Sequence, residues 1–92
     1  MRSQSANKNL NKVTFYCDSG KTIHATFYLD DDKETDLVLS DGRTLSVPHA
    51  MSASGARYAN VDETFVFWNK GDTAFITEGK NFETTYANCV IK

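Results

Sequence analysis

The sequence predicts an all-β protein, a small antiparallel barrel of about eight short strands. Three observations lead there. From Lys12 onward, apolar and polar residues alternate with a period of two in one run after another. Polar turn signals, among them Asp18-Ser19-Gly20, Asp41-Gly42 and Asn69-Lys70-Gly71, separate these runs at regular spacing. No segment sustains a helical period, and the stretch 49–56 has room for one turn at most. A chain of 92 residues holds one core, and closing its sheet on itself removes the edges that aromatic-rich strands would otherwise expose.

The elements follow in order. "KVTFYC" (12–17) sets Val13, Phe15 and Cys17 on one face and Thr14 and Tyr16 on the other. "KTIHATFYL" (21–29) alternates again, with Ile23, Ala25, Phe27 and Leu29 in phase. Asp30 to Glu34 is a charged connection leading to "TDLVL" (35–39). Asp41-Gly42 is the strongest hairpin signal, because both central positions of a two-residue turn accept positive φ. "RTLSV" (43–47) runs to the single proline, Pro48, which suits a strand exit, and 49–56 is a loop. "ARYAN" (56–60) is a short strand and "ETFVFW" (63–68) a convincing one. "TAFITE" (73–78) and "FETTYANCVIK" (82–92) complete the set, with Ala87, Cys89 and Ile91 expected inward on the last strand. Residues 1–11 read as a disordered polar tail and 12–92 as the single domain.

Forty per cent hydrophobic residues are enough for a packed interior and argue against wholesale disorder. A formal charge of -2 is a poor footprint for nucleic-acid binding and suits a basic partner better. There are two cysteines, Cys17 and Cys89, with no CxxC and no zinc-like Cys/His spacing. They read as a disulfide closing nearly the whole domain, or as two unrelated buried thiols. In a barrel, first and last strands are neighbours, so a bridge would pin the seam and would place the protein in an oxidising compartment. The opening "MRSQSANKNLNK" lacks the apolar centre of a signal peptide, so export requires a leader removed from this chain.

Candidates for chemistry are few. His24 lies mid-strand on the polar-leaning face and His49 in the loop after Pro48, neither beside a cysteine nor a nucleophile motif. Ser54 lacks the Gly-x-Ser-x-Gly elbow. A Ser54–Lys70 dyad requires a buried lysine, and a hairpin tip is the wrong place for one. Asp30-Asp31-Asp32-Lys33-Glu34 lacks the glycine and spacing of a calcium loop and reads as a solvated turn. Tyr58, Phe65, Phe67 and Trp68 could stack nucleobases, but the acidic balance opposes this. What remains is protein recognition. Ser52, Ala53, Ser54 and Gly55 permit close backbone approach, and Lys70 carries a compact positive charge on a flexible stem. The plain alternative is a flexible loop and a solvated lysine.

At "SASGARY" (52–58) and "FVFWNKG" (65–71) the chain resembles the MliC/PliC-type bacterial inhibitors of C-type lysozyme. The resemblance extends over most of 13–90, through "FYCDSGKTIHATF", "LSDGRTLSV" and the late cysteine of "YANC". It implies a barrel of about eight strands in the periplasm or lipid-anchored at the outer membrane, and a partner, C-type lysozyme, whose cleft is plugged. It maps Ser54 and Lys70 onto the two groups that meet the enzyme's catalytic carboxyls. Ser52, Gly55, Tyr58, Trp68 and Gly71 form the motifs around them, with Tyr58 and Trp68 mainly holding the turns. On this reading the chain is no enzyme and has no cofactor, metal, nucleic acid or small-molecule substrate; it is a monomer or homodimer. Asn69 departs from the small hydroxyl residue common in the family, and no lipobox cysteine is present. The rival reading is a surface-binding or adhesin-type module on the same barrel.

Overall fold

The structure, a computed structural model, describes residues 10–28, 34–50 and 56–92. The alternating runs become eight strands among the described residues. They are β1 (Leu10–Tyr16), β2 (Thr22–Tyr28), β3 (Glu34–Leu39), β4 (Thr44–Ala50), β5 (Ala56–Ala59), β6 (Phe65–Lys70), β7 (Thr73–Glu78) and β8 (Glu83–Ile91). Each pairs antiparallel with the next, and β8 returns to β1 to close the barrel. β1 starts two residues ahead of the expected Lys12.

The seam between β1 and β8 is narrow. Its registered pairs are Phe15 with Ile91 and Tyr16 with Val90. One step further along the same register stand Cys17 and Cys89, which form the disulfide. The covalent bond therefore extends a ladder of only two registered pairs, at a place where Cys89 is fully buried.

Inside, the inward residues of all eight strands fill the barrel, as expected at this strand number. Phe67 occupies the centre, with ring centroids of Phe15, Tyr58 and Phe27 at 5.9, 6.0 and 6.4 Å. Ile23, Leu37, Val47 and Ile76 complete a layer closed to solvent. The interior is packed, so function falls to the ends and the outer face.

Four expectations are corrected. β4 continues through Pro48 to Ala50, so His49 lies in a strand and not in a loop. Pro48 is registered against Glu34 of β3, while β5 pairs only from His49 onward; a residue without an N–H fits where one side of a strand has no ladder partner. The β3–β4 hairpin has three loop residues, Ser40, Asp41 and Gly42, because the Leu39 N–H donates to the Arg43 carbonyl and the Gly42 N–H to that of Leu39. Of these loop residues only Gly42 takes positive φ (99°), the pattern of a turn closed by a glycine bulge. On β8, the ladder against β7 shifts between Ala74 and Ile76, opposite Asn88 at φ 55°. This bulge resets the side-chain phase: Tyr86 and Cys89 are buried while Ala87 is only half-buried. Leu29 and the 30–33 connection lie outside the described residues.

In an up-and-down barrel, successive connections alternate between the two ends. The β2–β3, β4–β5 and β6–β7 connections share one end, called the rim below. At the opposite end, the base, Arg43 donates both guanidinium branches to Glu78, at 2.8 and 2.9 Å, and a third bond to Asp41 at 3.0 Å. Thr85 donates its hydroxyl to Glu78 as well. Hydrogen bonding by Arg43 holds the Asp41 carboxyl down at about 2 and also lowers that of Glu78, against the effect of burial.

Two expectations for stability follow from this architecture. Replacing both cysteines by serine removes a cross-link between residues 72 apart, worth about 4 kcal/mol in the chain-entropy treatment. Thermal unfolding followed by circular dichroism should show Tm falling by more than about 10 °C; an unchanged Tm would mean that the ladders alone close the seam. Glu78, with its carboxyl depressed in the folded state, contributes stability that is complete above the unfolded carboxylate pKa of about 4.3. That contribution is lost as pH falls through the folded value. The stability gap between wild type and Glu78→Gln, measured by urea unfolding, should be widest above about pH 5 and close in acid.

Candidate functional site

Lys70 is the last residue of β6, registered opposite Thr73 across a two-residue loop of Gly71 and Asp72. Gly71 takes φ 59°, the positive value that the first position of such a loop favours. The sequence placed Lys70 in the turn itself; the structure keeps it one step back, on the strand. That difference matters, because strand alternation now fixes its direction. Phe67 and Asn69 share the inward parity, while Trp68 and Lys70 share the outward one. Lys70 is exposed, and among the described residues no acceptor or carboxylate engages its ammonium.

Trp68 is half-buried on the outer face by its cross-strand neighbours. Arg57 on β5 and Phe75 on β7 are registered on either side of it. The Trp68 and Phe75 rings stack with centroids 5.8 Å apart and planes 15° apart. The Arg57 guanidinium carbon lies 5.5 Å from the Trp68 ring and the group is ion-paired with Glu63 at 2.6 Å. A shallow groove of about 240 Å³, lined by Trp68, Asn69, Lys70, Thr73, Ala74 and Phe75, runs beside the lysine. Tyr58 belongs to the interior instead: it is 7% exposed and its ring lies 5.0 Å from that of His49.

Asn69 acts on the loop. Its side-chain amide donates to the carbonyls of Gly71 and Thr73, both at 3.1 Å. The Thr73 hydroxyl donates to the Lys70 carbonyl at 2.8 Å. Asn69, Phe75 and Thr73 were not among the residues that the sequence singled out for the site. The available signal was an Asn two residues before a loop glycine, a residue type whose side chain bonds nearby backbone.

Ser52, Ser54 and Gly55 lie outside the described residues. Their neighbour in sequence, Ala56, opens β5 and is registered against Asn69, the residue before Lys70. The start of β5 and the end of β6 thus lie side by side at the rim. A cavity of about 440 Å³ opens into the same rim, with Phe27 and Tyr58 among its walls and Asn69, Gly71 and Asp72 at its edge.

Other candidates separate from this site. His24 is exposed in mid-β2 and shares a hydrogen bond of 2.9 Å with the Thr14 hydroxyl. Among the described residues there is no group of three or more His, Cys, Asp or Glu placed to hold a metal ion. A lysine serving as a base needs burial, and Lys70 is exposed.

Residues 15–84 match the family described as MliC, membrane-bound lysozyme-inhibitor of c-type lysozyme. The chain belongs to this family. The matched span includes both motifs and six complete strands, β2 to β7. Among curated proteins, the chain is 30% identical over 83 residues to a membrane-bound lysozyme inhibitor of C-type lysozyme from Cupriavidus necator. That alignment covers 87% of this chain and 65% of the relative. A protein of the same name from Yersinia enterocolitica is 37% identical over 51 residues, covering 55% of this chain and 42% of the relative. The chain therefore spans less than two thirds of either relative's length. No solved structure matches it.

Proposed function

We propose that this domain inhibits C-type lysozyme by placing Lys70, with Ser54 beside it, in the enzyme's active-site cleft. The carrying observation is the placement of Lys70: exposed, unpartnered among the described residues, and held at the rim where the first motif's connection also leaves the barrel. Family membership and the printed names of the two relatives supply the target.

The chemistry of the target makes the choice of residues intelligible. C-type lysozyme works with two carboxyl groups of divided roles, one kept as an acid in an apolar pocket and one ionised. An ammonium entering such a cleft meets the ionised group, and a serine hydroxyl satisfies its neighbour. Both catalytic groups are then occupied and the sugar chain is excluded, with no bond made or broken. Lys70 must shed water to do this, so the gain depends on close partner geometry. Arg57 contributes little net charge, because Glu63 neutralises it. The net charge of -2 favours long-range approach to a basic enzyme and should make association slower in salt. The disulfide fits a cell-envelope location, where such bonds persist.

The test is inhibition of hen egg-white lysozyme on a cell-wall substrate by the disulfide-intact chain. Removing one member of a desolvated interfacial charge pair typically costs about 2–5 kcal/mol. Lys70→Ala should therefore raise the inhibition constant by roughly 30-fold or more. An unchanged constant would sink the lysine prong, and no inhibition by the wild-type chain would favour a binding module of another kind.

A further inference from the structure

The carbonyls of the Lys70 hairpin are fully engaged. The Lys70 carbonyl accepts from the Thr73 hydroxyl, and that of Gly71 from Asn69. The Asp72 carbonyl accepts from the Ile91 N–H of β8 at 3.0 Å, and that of Thr73 from Asn69 again. Four successive carbonyls are thus tied to three strands, and a single side chain accounts for two of the ties. On a solvent-facing rim, water could satisfy the same groups. The arrangement fixes the loop where hydration alone would leave it free to move.

From this geometry we infer that Asn69 is a positioning residue for inhibition: its amide holds the hairpin so that Lys70 is presented in its binding geometry before the partner arrives. The inference rests on the reading of Lys70 as the prong. A primary amide suits the task because its nitrogen carries two hydrogens, one for each carbonyl. A hydroxyl in the same place has one hydrogen to give and leaves one carbonyl untied. Asn69 spends its amide hydrogens on the loop carbonyls, and strand parity sets it opposite to Lys70, so it can brace the loop without competing for the lysine's partner. Its cross-strand neighbour is Ala56, small enough to leave the amide room to turn toward the loop. Binding then avoids much of the ordering cost that a loose hairpin would impose.

The experiment compares wild type, Asn69→Ala, Asn69→Ser, Lys70→Ala and the Asn69→Ala/Lys70→Ala pair, all disulfide-intact. Affinity for hen egg-white lysozyme is measured by calorimetry, and amide exchange of the 70–73 hairpin by NMR in the free protein. Asn69→Ala is expected to weaken binding about tenfold, as two hydrogen bonds of ordinary strength allow, and to speed exchange in the hairpin. Asn69→Ser should fall between. The Asn69→Ala effect should largely vanish in the Lys70→Ala background, which a general loss of stability would not produce. Wild-type affinity in Asn69→Ala, or an equal loss in both backgrounds, overturns the assignment. The two readings fail separately. If Lys70→Ala binds as wild type, the prong is refuted, and the presenting role of Asn69 with it, even where exchange shows the loop to be braced. If Lys70→Ala binds weakly but exchange in Asn69→Ala is unchanged, only the brace is refuted.

Discussion

Closure of the sheet between β1 and β8 is the constraint on which the rest depends. Seven of the eight strand interfaces follow from chain neighbours joined by short connections, so their pairing is local. The eighth brings together the two strands farthest apart in sequence, and its registered ladder is two pairs long. Loop closure across most of the chain carries the largest entropic penalty of any contact in the fold. The Cys17–Cys89 bond extends this ladder covalently and confines the unfolded chain. With the seam shut, the sheet has no edge along which aromatic strands could associate.

Closure also determines where function can reside. Eight strands make a barrel whose interior is consumed by its own side chains, here by the rings around Phe67. The even alternation of connections then sorts the chain into two ends. The base holds the Arg43–Glu78–Asp41 network, whose charges satisfy one another. The rim holds the Lys70 hairpin and the start of β5 at Ala56, which is registered against Asn69. The paired charges of the base and the exposed lysine of the rim therefore lie at opposite ends of the barrel.

Much of this was legible because a barrel writes its plan in local signals. The period of two located all eight strands, and two cysteines on the outermost strands marked the seam. The errors occur where tertiary pairing overrides a local cue. Pro48 reads as a strand end, but β3 continues beside it and β4 continues with it. Ala87 reads as inward by strict alternation, but Asn88 adopts a left-handed conformation and shifts the phase. Nothing in an Asn without a following glycine announces that bulge. Lys70 and Trp68 stood out as candidates, yet their common outward face depends on β6 reaching Lys70. The contacts of Asn69 were hidden for a different reason. Its partners are backbone carbonyls, which every residue possesses, so only the folded loop identifies them.

The two cations on the outer face of β5 and β6 show how one strand pair can balance one charge and leave another unbalanced. Arg57 lies over the Trp68 ring and Lys70 lines the groove beside it, yet their electrostatic states differ. Arg57 is bonded to Glu63 and rests over the indole, which fixes it in the wall of the site. Lys70 stands in the last registered pair of β6 and β7, opposite Thr73, with no such counter-charge among the described residues. A guanidinium held by a carboxylate serves packing and orientation, because its field is already balanced. An ammonium left in water retains its full charge, and its cost of desolvation is recovered only when a target supplies the missing anion. Of the two cations, the structure thus gives Lys70 the less internal compensation, and it ties the backbone carbonyls of the hairpin that carries it.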